Sequence, residues 1–374
     1  MRSGAPSDVR DASVEVDGGS RRCTPEASLL TFITSVTFIT RITLTIRDHV
    51  LRFYFALLAT CLCLPSFALD VSRSEVRAFI DEMSASHGFA RKEVEALLSQ
   101  AETQQAILDA ISRPAERVVP WHEYRERFLT ERRIQQGADF WVAHNERLHA
   151  IGDERLAAVV SGILGVETSF GRITGRYRVI DALVTLAFDF PPRSEFFRSE
   201  LVQFLLLSRE EAVDTKTALG SYAGAMGAPQ FISSSYRRYA VDADGDGKRD
   251  LWNSWDDVIG SIANYLRGYG WQADEPVIVN ATLKNHDLSR FDVSKIALNE
   301  TVQSLRDKGV EFETTLPDDA PAMLVVGQGK KGPEYRVGFT NFYVITRYNR
   351  STMYAMAVND LGHAIQGFMR DASR

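Results

Sequence analysis

The chain is expected to fold as a mainly α protein of the α+β class, on three observations. From Ser72 to Tyr269 apolar residues recur at the three- and four-residue spacing of helices. Strand-like runs begin only beyond Trp271. The 374 residues, 45% hydrophobic and 25% charged, suffice for a large core shared between about two or three domains.

The first helix is expected from Ser72, where Ser72 and Glu75 have the spacing of a capping box and Val76, Phe79, Ile80 and Met83 form the inner stripe. Helices follow at 91–101 and 104–111, then from Trp121 through Leu148 with a break at Gly137. In the stretch LAAVVSGILGVETSFG, 156–171, residues Leu156, Val159, Val160 and Ile163 make a core-facing stripe that ends in Glu167. A polar loop at 171–177 leads to helices at 180–188 and 196–207, parted by a turn at Pro191-Pro192.

The segment 220–231, GSYAGAMGAPQF, is mostly small residues punctuated by Tyr222, Met226 and Gln230; it suits either a ligand-flooring loop or tight packing. A helix is expected at 257–269, with Val258, Ile262, Tyr265 and Leu266 inward. Strands at 277–283, 322–326 and 334–339 then form a small β domain of about sixty residues. Gly327 to Gly332 matches GxGxxG, but Pro333 and a strand come next where a phosphate site needs a helix, so it reads as a hairpin loop. The cluster 341–351, NFYVITRYNRS, offers rings and amides of the kind sugars need, or core tyrosines, before a final amphipathic helix at 354–369.

Two places carry chemistry. Burial and the carbonyl-rich end of a helix both disfavour a carboxylate, so Glu167 is expected to stay protonated, as a general acid must. In DADGDGKRDLWN, 242–253, Asp242, Asp244 and Asp246 occupy positions one, three and five, with Gly247 and the Lys248 carbonyl next, the pattern of an EF-hand calcium loop. Position twelve is Asn253 instead of Glu, which leaves Asp256 or Asp257 to close the site.

Composition narrows the partners. The net charge is −6 and no basic run is interleaved with aromatics, so nucleic acid is not expected. Cys23, Cys61 and Cys63 all precede residue 70, which removes disulfides, thiolate zinc and cysteine nucleophiles from the rest. The run Leu51 to Ala68, LRFYFALLATCLCLPSFA, has the basic start, short apolar centre and small final residues of a signal peptide cleaved after Ala68. Residues 1–50 are expected to be disordered or to precede the true start. Lipid attachment at Cys61 is the weaker option, because Thr60 is a poor residue before a lipid-bearing cysteine.

In this order GVETSFG, FDFPPRSEFFRSEL, GSYAGAMGAPQF, the DADGDG loop, IANYLRGYGW and NFYVITRYNRSTMYAMAV resemble the lytic murein transglycosylase B family, glycoside hydrolase family 103, from about Trp121 to Phe368. The chain departs from one form of the family pattern at Ala228-Pro229, before Gln230. The resemblance implies a periplasmic enzyme that cuts the β-1,4 bond between N-acetylmuramic acid and N-acetylglucosamine in peptidoglycan and leaves 1,6-anhydro ends. It implies a lysozyme-like core at 153–271 holding the calcium loop, a helical domain at 69–152 on which 354–374 packs, a β domain at 272–339 and a return to the core at 340–353.

Carried over by position, Glu167 matches the catalytic acid and Ser221, Gln230, Tyr265, Tyr348, Asn349 and Tyr354 match sugar-contacting positions. Asp242, Asp244, Asp246, the Lys248 carbonyl and Asp256 match a structural Ca2+ site, with no organic cofactor. Glycan strands are the expected partner, beside cell-wall remodelling proteins, for a monomer. A hydrolytic muramidase on the same core and a non-catalytic wall-binding protein are the alternatives.

Overall fold

The computed structural model describes residues 66–113 and 119–372. The expectations for residues 1–65, including most of the leader, lie outside them. Within the described residues the last three of the expected leader, Ser66–Ala68, form β1, antiparallel to β2 (Glu102–Gln104).

Between these strands lie α1 (Ser74–His87) and α2 (Arg91–Leu98), and after them α3 (Gln105–Ser112). The capping box expected at Ser72 and Glu75 does not form. Asp70 is nearer and accepts from both the amide and the hydroxyl of Ser72, while Glu75 accepts from Arg73, so α1 starts two residues later than expected.

The long helix expected from Trp121 is three: α4 (Trp121–Glu126), α5 (Glu131–Ala143) and α6 (Asn145–Ala150). The breaks fall at 127–130, where Thr130 caps α5 through the Arg133 amide, and at His144. Gly137, the expected break, is inside α5 because its bare backbone admits Ile365, whose Cδ1 would lie 2.3 Å from a Cβ there.

Next comes α7 (Glu154–Thr168), capped by Asp153, whose carboxylate accepts from the Leu156 amide and from the Trp271 indole. Every residue of α7 from Leu156 to Gly165 is buried, as befits a helix apolar on all sides. The ribbon of β3 (Tyr177–Arg178) and β4 (Leu219–Gly220) brackets α8 (Val179–Asp189) and α9 (Ser194–Glu210), which a 3-10 turn at Pro191–Arg193 separates. Helices α10 (Ser233–Tyr239) and α11 (Trp255–Gly268) flank the Asp-rich loop.

The β part is a five-stranded antiparallel sheet made of β5 (Ile278–Leu283), β6 (Glu300–Thr301), β7 (Val310–Glu311), β8 (Pro321–Gly329) and β9 (Gly332–Gly338), in the order β6-β8-β9-β5-β7. Its own core of Leu283, Val302, Leu305, Leu324, Val337 and Phe339 is closed by α12 (Val302–Asp307). The glycine motif is the β8–β9 hairpin, where Gly329 pairs with Gly332 around Lys330-Lys331. Met323 and Val325, on the other face of β8, join the helical core.

The aromatic tail forms α13 (Thr340–Tyr348), and α14 (Thr352–Ala372) crosses α7. Two glycines make that crossing close: a Cβ on Gly362 would lie 2.4 Å from the Ala158 carbonyl, and Gly162 meets Val358 in the same way. Helix α14 also packs on α5, so it joins the first helical half to the helix that carries Glu167.

Candidate active site

Glu167 occupies the last turn of α7, four residues after the buried Ile163. The helix then stops abruptly: Ser169, Phe170 and Gly171 have φ of 51, 60 and 76° in succession. Tyr354, near the start of α14, donates its hydroxyl to Glu167 Oε1 at 2.7 Å. Burial pushes the Glu167 carboxyl up to about 7, against the Tyr354 hydrogen bond, which pulls it down. Among the described residues no other carboxylate contributes to that shift. Burial, and after it the charge of Glu167, hold the Tyr348 and Tyr354 phenols well above their ordinary range.

The small-residue loop is fastened to the end of α7. Thr168 Oγ1 donates to the Ala228 carbonyl at 2.9 Å and accepts from the Gly171 amide at 3.0 Å. On its other side Ala228 N donates to the Leu251 carbonyl, and Gly227, at φ 66°, has to be bare because a Cβ there would lie 2.2 Å from that same oxygen. The loop therefore packs tightly, as one of its two readings expected, and it is fastened beside the residue that follows Glu167.

Gln230, at φ 54°, donates its amide nitrogen to the carbonyls of Thr174 at 3.0 Å and Gly227 at 2.9 Å. The proline before it supplies an acceptor, because Tyr348 donates its hydroxyl to the Pro229 carbonyl at 2.5 Å. Tyr265 donates to the Arg347 carbonyl at 2.7 Å. The rings continue the contact: Tyr265 and Tyr348 have centroids 4.9 Å apart, and Tyr348 stacks on Tyr354 at 6.5 Å and 11°.

Glu167, Tyr354, Tyr348, Tyr265 and Gln230 are thus linked into one cluster from four separate stretches of chain. Ser221 lies on the same loop, but its hydroxyl accepts from the amides of Ala223 and Ala225 and so closes a turn. Asn349 ends α13 exposed and extended. Sequence reasoning missed the fastening by Thr168, although it stands next to Glu167. It also missed Tyr239 and Tyr269, which extend the ring cluster around Tyr265.

In the Asp-rich loop Asp242 accepts from the amides of Gly245, Asp246 and Gly247, which curls the chain around its carboxylate. Asp242, Asp244 and Asp257 bring one oxygen each within 4.8 Å of one another, a donor set suited to a hard divalent cation. Asp256, the expected ligand, is turned away: its carboxylate pairs with Arg147 at 2.6 Å. Asp257, one residue on, faces the loop and accepts from the amides of Ala243 and Asp250, both at 2.7 Å. Asp246 is exposed and accepts from the Lys248 amide, so its carboxylate is not one of the three.

A carboxyl that burial pushes up to about 7, with tyrosine rings beside it, is a group suited to protonating a glycosidic oxygen, and it makes this cluster the candidate active site. The model of the transglycosylase SLT domain matches residues 72–363. The membrane-bound lytic murein transglycosylase B of Escherichia coli K12 is 38% identical over 307 residues, 77% of this chain and 81% of that one. Among solved structures, catenated lytic transglycosylase SltB1 of Pseudomonas aeruginosa is 47% identical, with a TM-score of 0.76 over 79% of this chain and 97% of its own. The Escherichia coli lytic transglycosylase Slt35 in complex with calcium is 36% identical, with a TM-score of 0.70 over 80% and 96%.

The chain belongs to the lytic murein transglycosylase B family. It is a lytic transglycosylase of peptidoglycan, an enzyme of the cell envelope that produces anhydromuramic ends. Among the described residues no helix is long and apolar enough to cross a membrane.

Proposed function

We propose that Glu167 alone serves as acid and then as base in cutting the β-1,4 bond between N-acetylmuramic acid and N-acetylglucosamine. The protonated carboxyl gives its proton to the glycosidic oxygen, and the N-acetylglucosamine leaves with it. The muramic C6 hydroxyl then bonds to C1, and the Glu167 carboxylate takes the hydroxyl's proton, so a 1,6-anhydro ring forms and the acid is restored. Ordinary glycosidases use two carboxylates, whereas Glu167 has a phenol beside it. The observation that carries this reading is the raised carboxyl of Glu167 under the Tyr354 hydroxyl.

The sugars would run over the 220–231 loop, with Ser221, Gln230 and Asn349 on one flank or the other and the half-buried Tyr348 presenting its ring, backed by the buried Tyr265 and Tyr354, since the three hydroxyls are already engaged. Asp242, Asp244 and Asp257 would hold a structural Ca2+, with the loop carboxylate of Asp246 and the Lys248 carbonyl completing the shell. Bound there, the ion would neutralise the loop's charge and hold α11 to it. The family's calcium-bound member supports the choice of metal. We place the enzyme in the periplasm as a monomer acting on glycan strands, alone or beside other wall-remodelling proteins.

The deciding experiment is mass spectrometry of muropeptides released from sacculi by the wild type and by Glu167→Gln. Anhydro ends from the wild type alone support the assignment; equal release by the variant would refute it.

A further inference from the structure

Arg133 is half-buried and makes no ion pair among the described residues. Burial lowers its pKa, and no carboxylate offsets that. A guanidinium taken out of water without an acid to meet it has to be held by other groups. Its backbone is fixed at the start of α5, where the Thr130 hydroxyl accepts from the Arg133 amide at 3.2 Å. Its side chain lies over the Phe128 ring, with Cζ 5.7 Å from the centroid, and Nη1 donates to the Gly165 carbonyl at 2.5 Å.

Gly165 is buried in the last turn of α7, just ahead of Glu167. In an uninterrupted helix its carbonyl would accept from the Ser169 amide. Here Ser169, at φ 51°, gives that amide to the Leu164 carbonyl, and the Phe170 amide goes to the same oxygen at 2.9 Å. The stop that ends α7 behind Glu167 therefore leaves the Gly165 carbonyl without a donor from its own helix, and Arg133 supplies one from another. The same face of α5 makes room for the stop. A Cβ on Gly137, one turn on from Arg133, would lie 3.0 Å from the Phe170 ring, and a Cβ on Gly165 would lie 2.9 Å from it. Phe170 is thus wedged between two bare glycines, with the guanidinium on the carbonyl of one of them. Without that guanidinium the nearest donor for the carbonyl is the Ser169 amide. To reach it the stop would have to straighten, and Glu167 and Thr168 would turn with it.

We propose that Arg133 is a positioning residue for the reaction: by taking the Gly165 carbonyl it holds the last turn of α7 in the form that keeps Glu167 under the Tyr354 hydroxyl. The inference rests on the reading of Glu167 as the acid, and it adds that a guanidinium on a neighbouring helix sets where the acid stands, acting through the helix backbone. The proton affinity of Glu167 is left to burial and to Tyr354.

The test measures kcat, KM and the pH dependence of kcat on soluble glycan strands, well below the unfolding transition of each protein. Arg133→Met keeps hydrocarbon over Phe128 but has no donor, and its kcat should fall about 100-fold with KM unchanged. Arg133→Lys still offers one donor to one carbonyl and should return kcat to near the wild-type value. The pH at which activity declines should be the same in all three proteins, because burial and Tyr354 set it. If Arg133→Met does not fold, Arg133→Gln takes its place with the same expected loss, since its amide ends short of the carbonyl. A wild-type kcat in the variant without the donor, a rise in KM alone, a folded Arg133→Lys with the same loss, or a declining limb that moves would each overturn the proposal. Glu167→Gln separates the two readings: if it keeps the wild-type rate, the acid is misassigned whatever the Arg133 variants show.

Discussion

A Cβ on Gly162 would lie 2.2 Å from the carbonyl oxygen of Val358, so α7 and α14 meet there backbone to backbone. One of these helices carries Glu167 and the other Tyr354, each little more than a turn from the contact. The spacing of the acid from its phenol is therefore set by a glycine. Gly162→Ala should force the helices apart and cost about 2 kcal/mol of stability, which urea unfolding would measure. The same variant should lose activity below its unfolding transition, because the Tyr354 hydrogen bond lengthens.

As the proposed acid, Glu167 must be protonated to act, and its carboxyl is pushed up to about 7. Activity should therefore persist as pH falls below that value and decline as pH rises through it. Replacing the acid by Gln should lower kcat about 10³-fold at any pH. Tyr354→Phe removes the one hydrogen bond that pulls the carboxyl down, so the declining limb should move to higher pH. A kcat/KM profile of the two variants beside the wild type checks both statements, and an unmoved limb in Tyr354→Phe would show that the phenol does not tune the acid.

Asp257 links the cation loop to α11, since it accepts from Ala243 and Asp250 while facing Asp242 and Asp244. Calcium at a hundred times its dissociation constant should stabilise the wild type by about 2.7 kcal/mol, and a chelator should remove that gain. In Asp257→Asn the response should nearly vanish, whereas Asp256→Asn should keep it, because Asp256 is spent on Arg147. Thermal melts with and without the ion distinguish these outcomes.

The sheet is tied to α14 by a two-armed pair: Arg336 donates to both oxygens of Asp360, at 2.7 and 2.9 Å, beneath the ring of Trp121. Both side chains are largely covered, at 11% and 14% exposure. Asp360→Ala would strand the guanidinium and should cost about 3 kcal/mol, more than a surface pair could. Calorimetry would read the loss as a lower Tm.

Features set by near neighbours in the chain were legible in the sequence. The apolar run of α7 and its final acid come from helical spacing, and the hairpin at Gly327 to Gly332 from the proline and strand directly after it. Competition between partners defeated the rest. Asp70 took Ser72 from its expected partner, and Gly137 stayed helical because Ile365, far along the chain, needed its space. Asp256 and Asp257 are adjacent and identical in kind, so only the direction of α11 decides which faces the loop and which faces Arg147. Tyr354 could be matched to the site, but its bond to Glu167 spans 187 residues, and no spacing rule reaches that far.

The hydroxyls of Tyr265, Tyr348 and Tyr354 are committed to Arg347, Pro229 and Glu167. Tyr265 and Tyr354 are buried, at 6% and 2% exposure, so the cluster gives water few places to anchor. In the proposed reaction a sugar carbon that has just lost its leaving group would then meet its own C6 hydroxyl before it met solvent. Wetting, in place of any second nucleophile from the protein, would decide between a closed ring and a reducing end. A tyrosine hydroxyl set loose by breaking its carbonyl contact would then turn some of the enzyme's turnover into hydrolysis.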